Sequence, residues 1–404
     1  MTPLPKGKDI VLLIDGTRQG PEDPRSNPSN VEGLGYFLRA SSLRRASKVA
    51  RSVPGATGLL HPGVNGATGY LSGIGAETMH VPRIFPAASG AGMAHMIRIA
   101  YRFLSQHYEQ GDRIFLFGFS RGAFAARSLA GFVDCVGLAL STLPPSALNQ
   151  AIDDAYYIYE FLRGDADAIR KGITHHLKGG SRSENDVRDL EWVSLPIYFI
   201  GIWDAVEALG LPAEAKAVTR VFNSYHQTRL PPNITHAAHA LSLHELRSEF
   251  RPHLWNDKLP QQTLVQRWFP GDHSDIGGGH SGRGLASISF SWMMSRARSA
   301  GLFGLDSLIS FADTQGSDRT QIQQMWHTFP YSFLEPKIRE EVRRFSGPNR
   351  ALVLGHEIDP SATMRLLSGT PDDYGRFMGN SLLFSAPNLQ VDLLRQIDSL
   401  TASA

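Results

Sequence analysis

Ile114-Phe115-Leu116-Phe117-Gly118-Phe119-Ser120-Arg121-Gly122-Ala123-Phe124-Ala125 decides how the rest of the chain is read. An apolar run suited to a buried strand ends in Gly-Phe-Ser-Arg-Gly, and an alanine-rich helical pattern follows at once. This is G-x-S-x-G in strand–turn–helix context, the setting that marks a nucleophile elbow rather than a chance pentamer. The turn forces Ser120 into a strained backbone, and side chains at Gly118 and Gly122 would collide with the neighbouring strand and helix. The helix beginning after Ser120 points its positive end at the serine.

A serine hydroxyl is a poor nucleophile unless a base takes its proton and a carboxylate orients that base. In α/β-hydrolases the partners follow the serine in the order acid, then histidine. Downstream, Pro196-Ile197-Tyr198-Phe199-Ile200-Gly201-Ile202-Trp203 is an apolar run ending in Asp204. A carboxylate at the C-terminal end of a buried strand sits where open α/β sheets bind ligands. Further on, the run Val265–Phe269 leads into Pro270-Gly271-Asp272-His273-Ser274-Asp275-Ile276-Gly277-Gly278-Gly279-His280. The candidate triad is therefore Ser120, Asp204 and His273. As a lesser alternative, Asp204 reads as the cap of a helix starting near Ala205. His273 also reads as a hydrogen-bonded loop histidine, or with Asp272 and Asp275 as part of a small metal site that lacks a spaced second cluster. The leading reading needs no metal and no cofactor.

Four blocks together resemble the α/β-hydrolase family of the type VI secretion phospholipase effectors, the first lipase-effector class, formerly catalogued as an uncharacterised hydrolase domain. They are Asp15-Gly16-Thr17 after the opening strand, Gly111-Asp112 leading to Gly118–Ala123, Gly201-Ile202-Trp203-Asp204, and Trp268-Phe269-Pro270-Gly271 with His273–Gly279. Lesser echoes are Tyr70 with Gly73-Ile74-Gly75, His244-Glu245-Leu246-Arg247, and Pro387-Asn388-Leu389. The chain departs from the family at His244, where Asp is frequent, and at Asp359-Pro360-Ser361, where His-Pro-Ser is frequent. The resemblance runs along nearly the whole chain and implies a Ser-Asp-His esterase acting on lipid acyl esters, of phospholipase A type. It leaves positional specificity and any immunity or secretion partner open.

Asp15-Gly16-Thr17 also resembles the strand end of a haloacid-dehalogenase-type phosphatase, but that chemistry needs a nucleophilic Asp two residues earlier, where Leu13 stands. In a hydrolase the loop after an early strand supplies one oxyanion-hole N–H and the residue after the nucleophile, here Arg121, supplies the other. Gly16 and Thr17 are the candidates for the first donor. Asp15 is read as bracing that loop by accepting backbone N–H bonds, and Asp275 as supporting the His273 loop.

With 404 residues and 42% hydrophobic content, the chain can bury a large core. A formal charge of +2 gives no ground for a nucleic-acid partner. One cysteine, Cys135, excludes an internal disulfide and reads as a buried thiol behind the nucleophile helix. Met1–Asp9 has lysines but no apolar signal segment, and no apolar run reaches the roughly 18–20 residues that span a bilayer. The expectation is synthesis in the cytoplasm, with any export needing a dedicated, contact-dependent machine.

Alternating strand and helix patterns predict an α/β fold, α/β-hydrolase-like, with a mostly parallel sheet and helices on both faces. Strands are expected at 9–15, 113–118, 196–203 and 264–269, and core-facing helices at 92–109 and 148–171. The whole of 1–404 is read as one catalytic domain, with lid or substrate-wall insertions at 35–70, 136–190 and 205–235. Residues 172–189 read as an exposed loop. Arg39, Arg44, Arg45, Lys48 and Arg51 form a basic stretch, either a solvated helix face or a contact for an anionic membrane surface. Beyond about residue 302, helices at 318–327 and 335–345 and the block Arg365–Tyr374 read as packing elements, with Asp359 and Arg365 near the pocket. Two other functions stay open: an esterase for a small or polymeric non-lipid ester, and a hydrolase fold that binds without catalysis.

Overall fold

A computed structural model of the chain describes residues 7–17, 27–38, 41–42, 66–73, 90–141, 145–162, 190–193, 195–206, 229–247, 250–317, 320 and 356–361. Within these, β1 (Asp9–Ile14), β2 (Ser41–Ser42), β3 (Gly66–Leu71), β4 (Arg113–Phe119), β7 (Ile197–Trp203), β8 (Ile234–Ser242), β9 (Thr263–Phe269) and β10 (His356–Ile358) form one sheet. Its order is β10-β9-β8-β7-β4-β1-β3-β2, and every pairing is parallel. A second, antiparallel pair joins β5 (Leu138–Ser141) to β6 (Leu190–Val193). This is the α/β architecture that the alternating patterns predict.

Parallel strands covered on both faces have no wet side, so they read as unbroken apolar runs. All six residues of β1 are buried, and their side chains divide between the two faces by the two-residue period of a strand. Ile10, Leu12 and Ile14, with Ile114 and Leu116 of β4, pack under α2 (Gly90–His107), α3 (Arg121–Val136) and α4 (Pro145–Leu162). Val11 and Leu13, with Phe115, Phe117 and Phe119, pack under α1 (Asn30–Leu38), α6 (Gly284–Ser299) and α7 (Asp306–Gln315). Between β9 and α6 lies a single turn of helix, α5 (His273–Gly277). Cys135 is buried on α3, as its apolar context predicts.

Two intervals read as insertions prove to contain parts of the core. Residues 35–70 end in β3, which pairs along its length with β1. Residues 136–190 open with β5 and then α4, whose Ala151, Ile152, Ala155, Tyr156 and Tyr159 are buried against α2 and α3. Tyr156 and Tyr159 rest on Phe132 with ring centroids 5.3 and 5.1 Å apart. Residues 163–189 and 207–228 lie outside the described part. So do the cations of the 39–51 stretch, nearly all of 318–345, and the block 365–374.

The topology places the site. From β1 the chain crosses to β3 on one side, whereas from β4 it runs to β7 on the other. The crevice at the carboxyl ends of β1 and β4 is therefore the switch point, where open α/β sheets bind ligands. Asp15 follows β1 and Ser120 follows β4.

Candidate active site

Ser120 occupies the turn between β4 and α3 with φ 56° and ψ −122°. Asp204, one residue past β7, has φ 39°. They are the two non-glycine residues of positive φ among those described, and such backbone costs of order 1–3 kcal/mol each. The backbone holds both turns in register: Ser120 N–H donates to Trp203 O at 3.0 Å, and Asp204 N–H donates to Ala240 O at 2.7 Å.

The steric argument for the glycines is met directly. A Cβ on Gly122 would lie 2.2 Å from Ile14 O and 2.5 Å from Asp15 O, both on the neighbouring β1 end. One on Gly118 would lie 2.7 Å from Ala123 Cα. The sharp strand-to-helix turn thus exists only because neither position carries a side chain.

His273 opens α5 and is 4% exposed. Its Nδ1 lies 2.7 Å from Asp204 Oδ2, and Asp204 is fully buried. An ionised carboxylate only accepts, so Nδ1 is the donor in this contact, and the neutral imidazole tautomer that donates there carries its lone pair on Nε2. The other carboxylate oxygen, Oδ1, accepts the Ser242 N–H at 3.0 Å. The imidazole is held between Phe119 and Phe250, with ring centroids at 4.7 and 4.9 Å. Because Phe119 is the residue before Ser120, this packing brings the histidine ring beside the nucleophile turn.

Asp15 sits at the end of β1 with its carboxylate fully buried. Oδ1 accepts the Gly16 N–H at 2.7 Å, and Oδ2 accepts the hydroxyls of Ser29 and Tyr70, both at 2.7 Å. Burial pushes its pKa up to about 6, against the opposing pull of those donors. Burial, followed by the charge of Asp15, raises the Tyr70 phenol well above its usual value. Asp15 thus accepts one backbone N–H of the loop after β1 and two side-chain hydroxyls. The same bond occupies the Gly16 amide, so of the two oxyanion candidates in this loop only the Thr17 N–H is left uncommitted to Asp15. Gly16 lies against the elbow: a Cβ there would stand 3.1 Å from Ser120 Cβ.

The sequence reading missed much of the supporting network. Ser242 donates its hydroxyl to Gly271 O at 2.7 Å while its own N–H holds Asp204, so the last residue of β8 ties the acid to the histidine loop. Glu245 and Arg247, both buried, form a bidentate pair with N···O distances of 2.9 and 2.6 Å. Glu245 Oε2 also receives the His273 N–H at 3.4 Å. His244, where the family often has Asp, accepts the Gly271 N–H on Nδ1 at 2.8 Å. Asn30 donates from Nδ2 to Ile276 O and Ala286 O, each at 3.0 Å, and anchors α5 to α6. Ser29-Asn30-Val31-Glu32 carries the S-x-x-E helix-start signal, and Ser29 Oγ accepts the Glu32 N–H at 2.9 Å. That signal would have found α1 and, with it, the Ser29 partner of Asp15.

Asp272 and Asp275 form a reciprocal cap on α5. Asp272 Oδ1 accepts the N–H groups of Ser274 and Asp275, and Asp275 Oδ2 accepts that of Asp272. The histidine beside these two acids is His280, whose Nε2 is 3.1 Å from Asp272 Oδ1. Among the described residues the ligand atoms of these acids cluster with His280, while His273 Nδ1 is bonded to Asp204. Asp359, just past β10, contacts Arg267 at 3.2 Å and accepts from Ser361. No described helix is long and apolar enough to cross a membrane.

A Saccharomyces cerevisiae (strain ATCC 204508 / S288c) protein described as Uncharacterized protein YEL023C is 29% identical over 251 residues, covering 61% of this chain. The match spans 32% of that relative's own length. A solved structure described as an uncharacterized protein from Pseudomonas aeruginosa aligns over 74% of this chain and 46% of its own, with 15% identity and a TM-score of 0.37. The family described as "T6SS, Phospholipase effector Tle1-like, catalytic domain" matches residues 8–296, a span that includes Ser120, Asp204 and His273, and the chain belongs to that family.

Proposed function

We propose that this protein is a serine ester hydrolase that cleaves acyl esters of phospholipids. The observation that carries the reading is the 2.7 Å contact between His273 Nδ1 and Asp204 Oδ2, at the same end of the sheet as the strained Ser120 turn. Membership of a phospholipase effector family supports the lipid substrate.

In this mechanism Ser120 Oγ attacks the ester carbonyl carbon as its proton passes to His273 Nε2. Asp204 keeps the imidazole in the Nδ1–H tautomer and stabilises the imidazolium. The developing oxyanion is met by the Arg121 N–H, in the first turn of α3, and by the Thr17 N–H. Each such donor is worth about 3–4 kcal/mol in a comparable acyl-transfer enzyme. The C–O bond to the glycerol oxygen breaks and His273 returns the proton to the leaving lysolipid. Water then attacks the acyl-Ser120 ester, again deprotonated by His273, and releases the fatty acid. Asp15, through Gly16, holds the loop that carries the Thr17 donor.

The decisive experiment measures fatty acid and lysolipid released from mixed phospholipid vesicles by wild type and Ser120→Ala. Both products from wild type alone support the proposal. Cleavage of only short p-nitrophenyl esters moves the substrate to a small soluble ester. No turnover of either, with no fluorophosphonate labelling of Ser120, leaves a binding module and ends the catalytic reading.

A further inference from the structure

We propose that Asp272, Asp275 and His280 form a binding site for one divalent metal ion, set beside the candidate triad. The three side chains each offer a ligand atom, and these atoms lie within 4.8 Å of one another. The two acids are 2% and 1% exposed. His280 Nε2 stands 3.1 Å from Asp272 Oδ1. Metal bonds of about 2.0–2.2 Å separate two ligand atoms by roughly 3 Å in an octahedral site and roughly 3.4 Å in a tetrahedral one. The histidine nitrogen and Asp272 Oδ1 stand at that spacing, joined by their own hydrogen bond.

A second observation points to a ligand. Asp272 Oδ1 takes the Ser274 and Asp275 amides and the His280 contact, but Oδ2 is sealed from solvent and accepts no hydrogen bond. A buried carboxylate oxygen left without a donor loses solvation with nothing in return, a cost of about 1–3 kcal/mol or more. A cation is the partner that such an oxygen lacks. The local charge agrees: Asp204, Glu245, Asp272 and Asp275 are all at most 2% exposed at this sheet end, and the guanidinium nearby, Arg247, is bonded to Glu245.

The donor set defines the ion class. Carboxylate oxygens suit Mg²⁺, Ca²⁺ and Mn²⁺, whereas an imidazole nitrogen suits first-row ions such as Mn²⁺ and Zn²⁺. Two carboxylates with one imidazole therefore favour Mn²⁺ or Zn²⁺ over Ca²⁺. Asp272 and Asp275 bracket His273 in the chain, so an ion on them ties down the turn of helix that presents that histidine.

The test uses the full chain, treated with chelator and titrated with Mn²⁺, whose free form is read by electron paramagnetic resonance. One saturable site in wild type, weakened at least tenfold in His280→Gln, is the expected result, with a Mn²⁺-dependent rise in melting temperature confined to wild type. Glutamine retains a hydrogen-bond donor for Asp272, so folding is preserved while the nitrogen ligand is removed. Pulsed measurements on Mn²⁺-loaded wild type add a check that needs no variant, since a bound imidazole gives a ¹⁴N coupling. Absence of saturable binding, equal affinity in His280→Gln, or a bound ion without ¹⁴N coupling overturns the proposal. Ser120→Ala retains the site in every case, which separates this result from the fate of the hydrolase reading.

Discussion

His273 Nδ1 lies 2.7 Å from Asp204 Oδ2, although 69 residues separate the two in the chain. The contact exists because β7 and β9 both end at the same edge of the sheet, with β8 between them. If this pair orients a general base, Asp204→Asn keeps the shape but presents an amide that favours the wrong imidazole tautomer. Turnover of a p-nitrophenyl ester is expected to fall by about four orders of magnitude, as the same change does in a serine protease. A loss below tenfold would remove Asp204 from the mechanism.

Gly122→Ala tests the elbow itself. The new Cβ would meet Ile14 O at 2.2 Å and Asp15 O at 2.5 Å, and both are backbone atoms of a central strand end that cannot swing aside. Overpacking of this kind costs typically 1–3 kcal/mol. Urea denaturation should show a loss in at least that range, together with lost activity from a displaced Ser120. Wild-type stability would mean that the turn is looser than described.

Asp15 makes stability depend on pH in a direction unusual for a carboxylate. Burial raises its pKa from 3.8 to about 6, so between those values the folded protein holds a proton that the unfolded chain has released. Stability from this group is full below the unfolded value and is lost as pH rises through about 6. Two units correspond to about 3 kcal/mol. Relative to Asp15→Asn, wild type should therefore lose stability between pH 4 and 6 in urea titrations. Parallel profiles for the two proteins would clear Asp15 of this role.

Glu245→Ala would leave Arg247 buried without its bidentate partner and would free the His273 amide. Breaking a buried pair from one side costs about 3–5 kcal/mol. The melting temperature should drop by several degrees, while replacing both residues with apolar side chains of similar volume should recover most of it. Equal loss in the single and double variants would show that the pair does more than compensate charge.

The parts legible in the sequence share one property: their signal is local. β1, β4, β7 and β9 are apolar runs, and each was placed to within a residue or two of its ends. Gly118 and Gly122 around Ser120 announce a tight turn because only glycine fits there. β8 escaped notice because Ile234–Ser242, rich in alanine and histidine, carries no β-branched run and no alternation, being flanked on both edges by other strands. β3 escaped because its glycines weaken the strand pattern, and its strand character comes from pairing with β1.

The strand ends that carry the candidate triad are legible from the sequence alone, since the motif blocks and the apolar runs before them are contiguous in the chain. Only the tertiary structure decided who meets whom there. It put His273 on Asp204, turned the Gly16 amide onto Asp15, drew in Ser29 and Tyr70, and gave the Asp272–Asp275 pair His280 as its neighbouring histidine. Those outcomes depend on strand order and on the directions of buried hydrogen bonds, and a parallel sheet sets both through crossovers that bring residues tens to hundreds of positions apart to one edge.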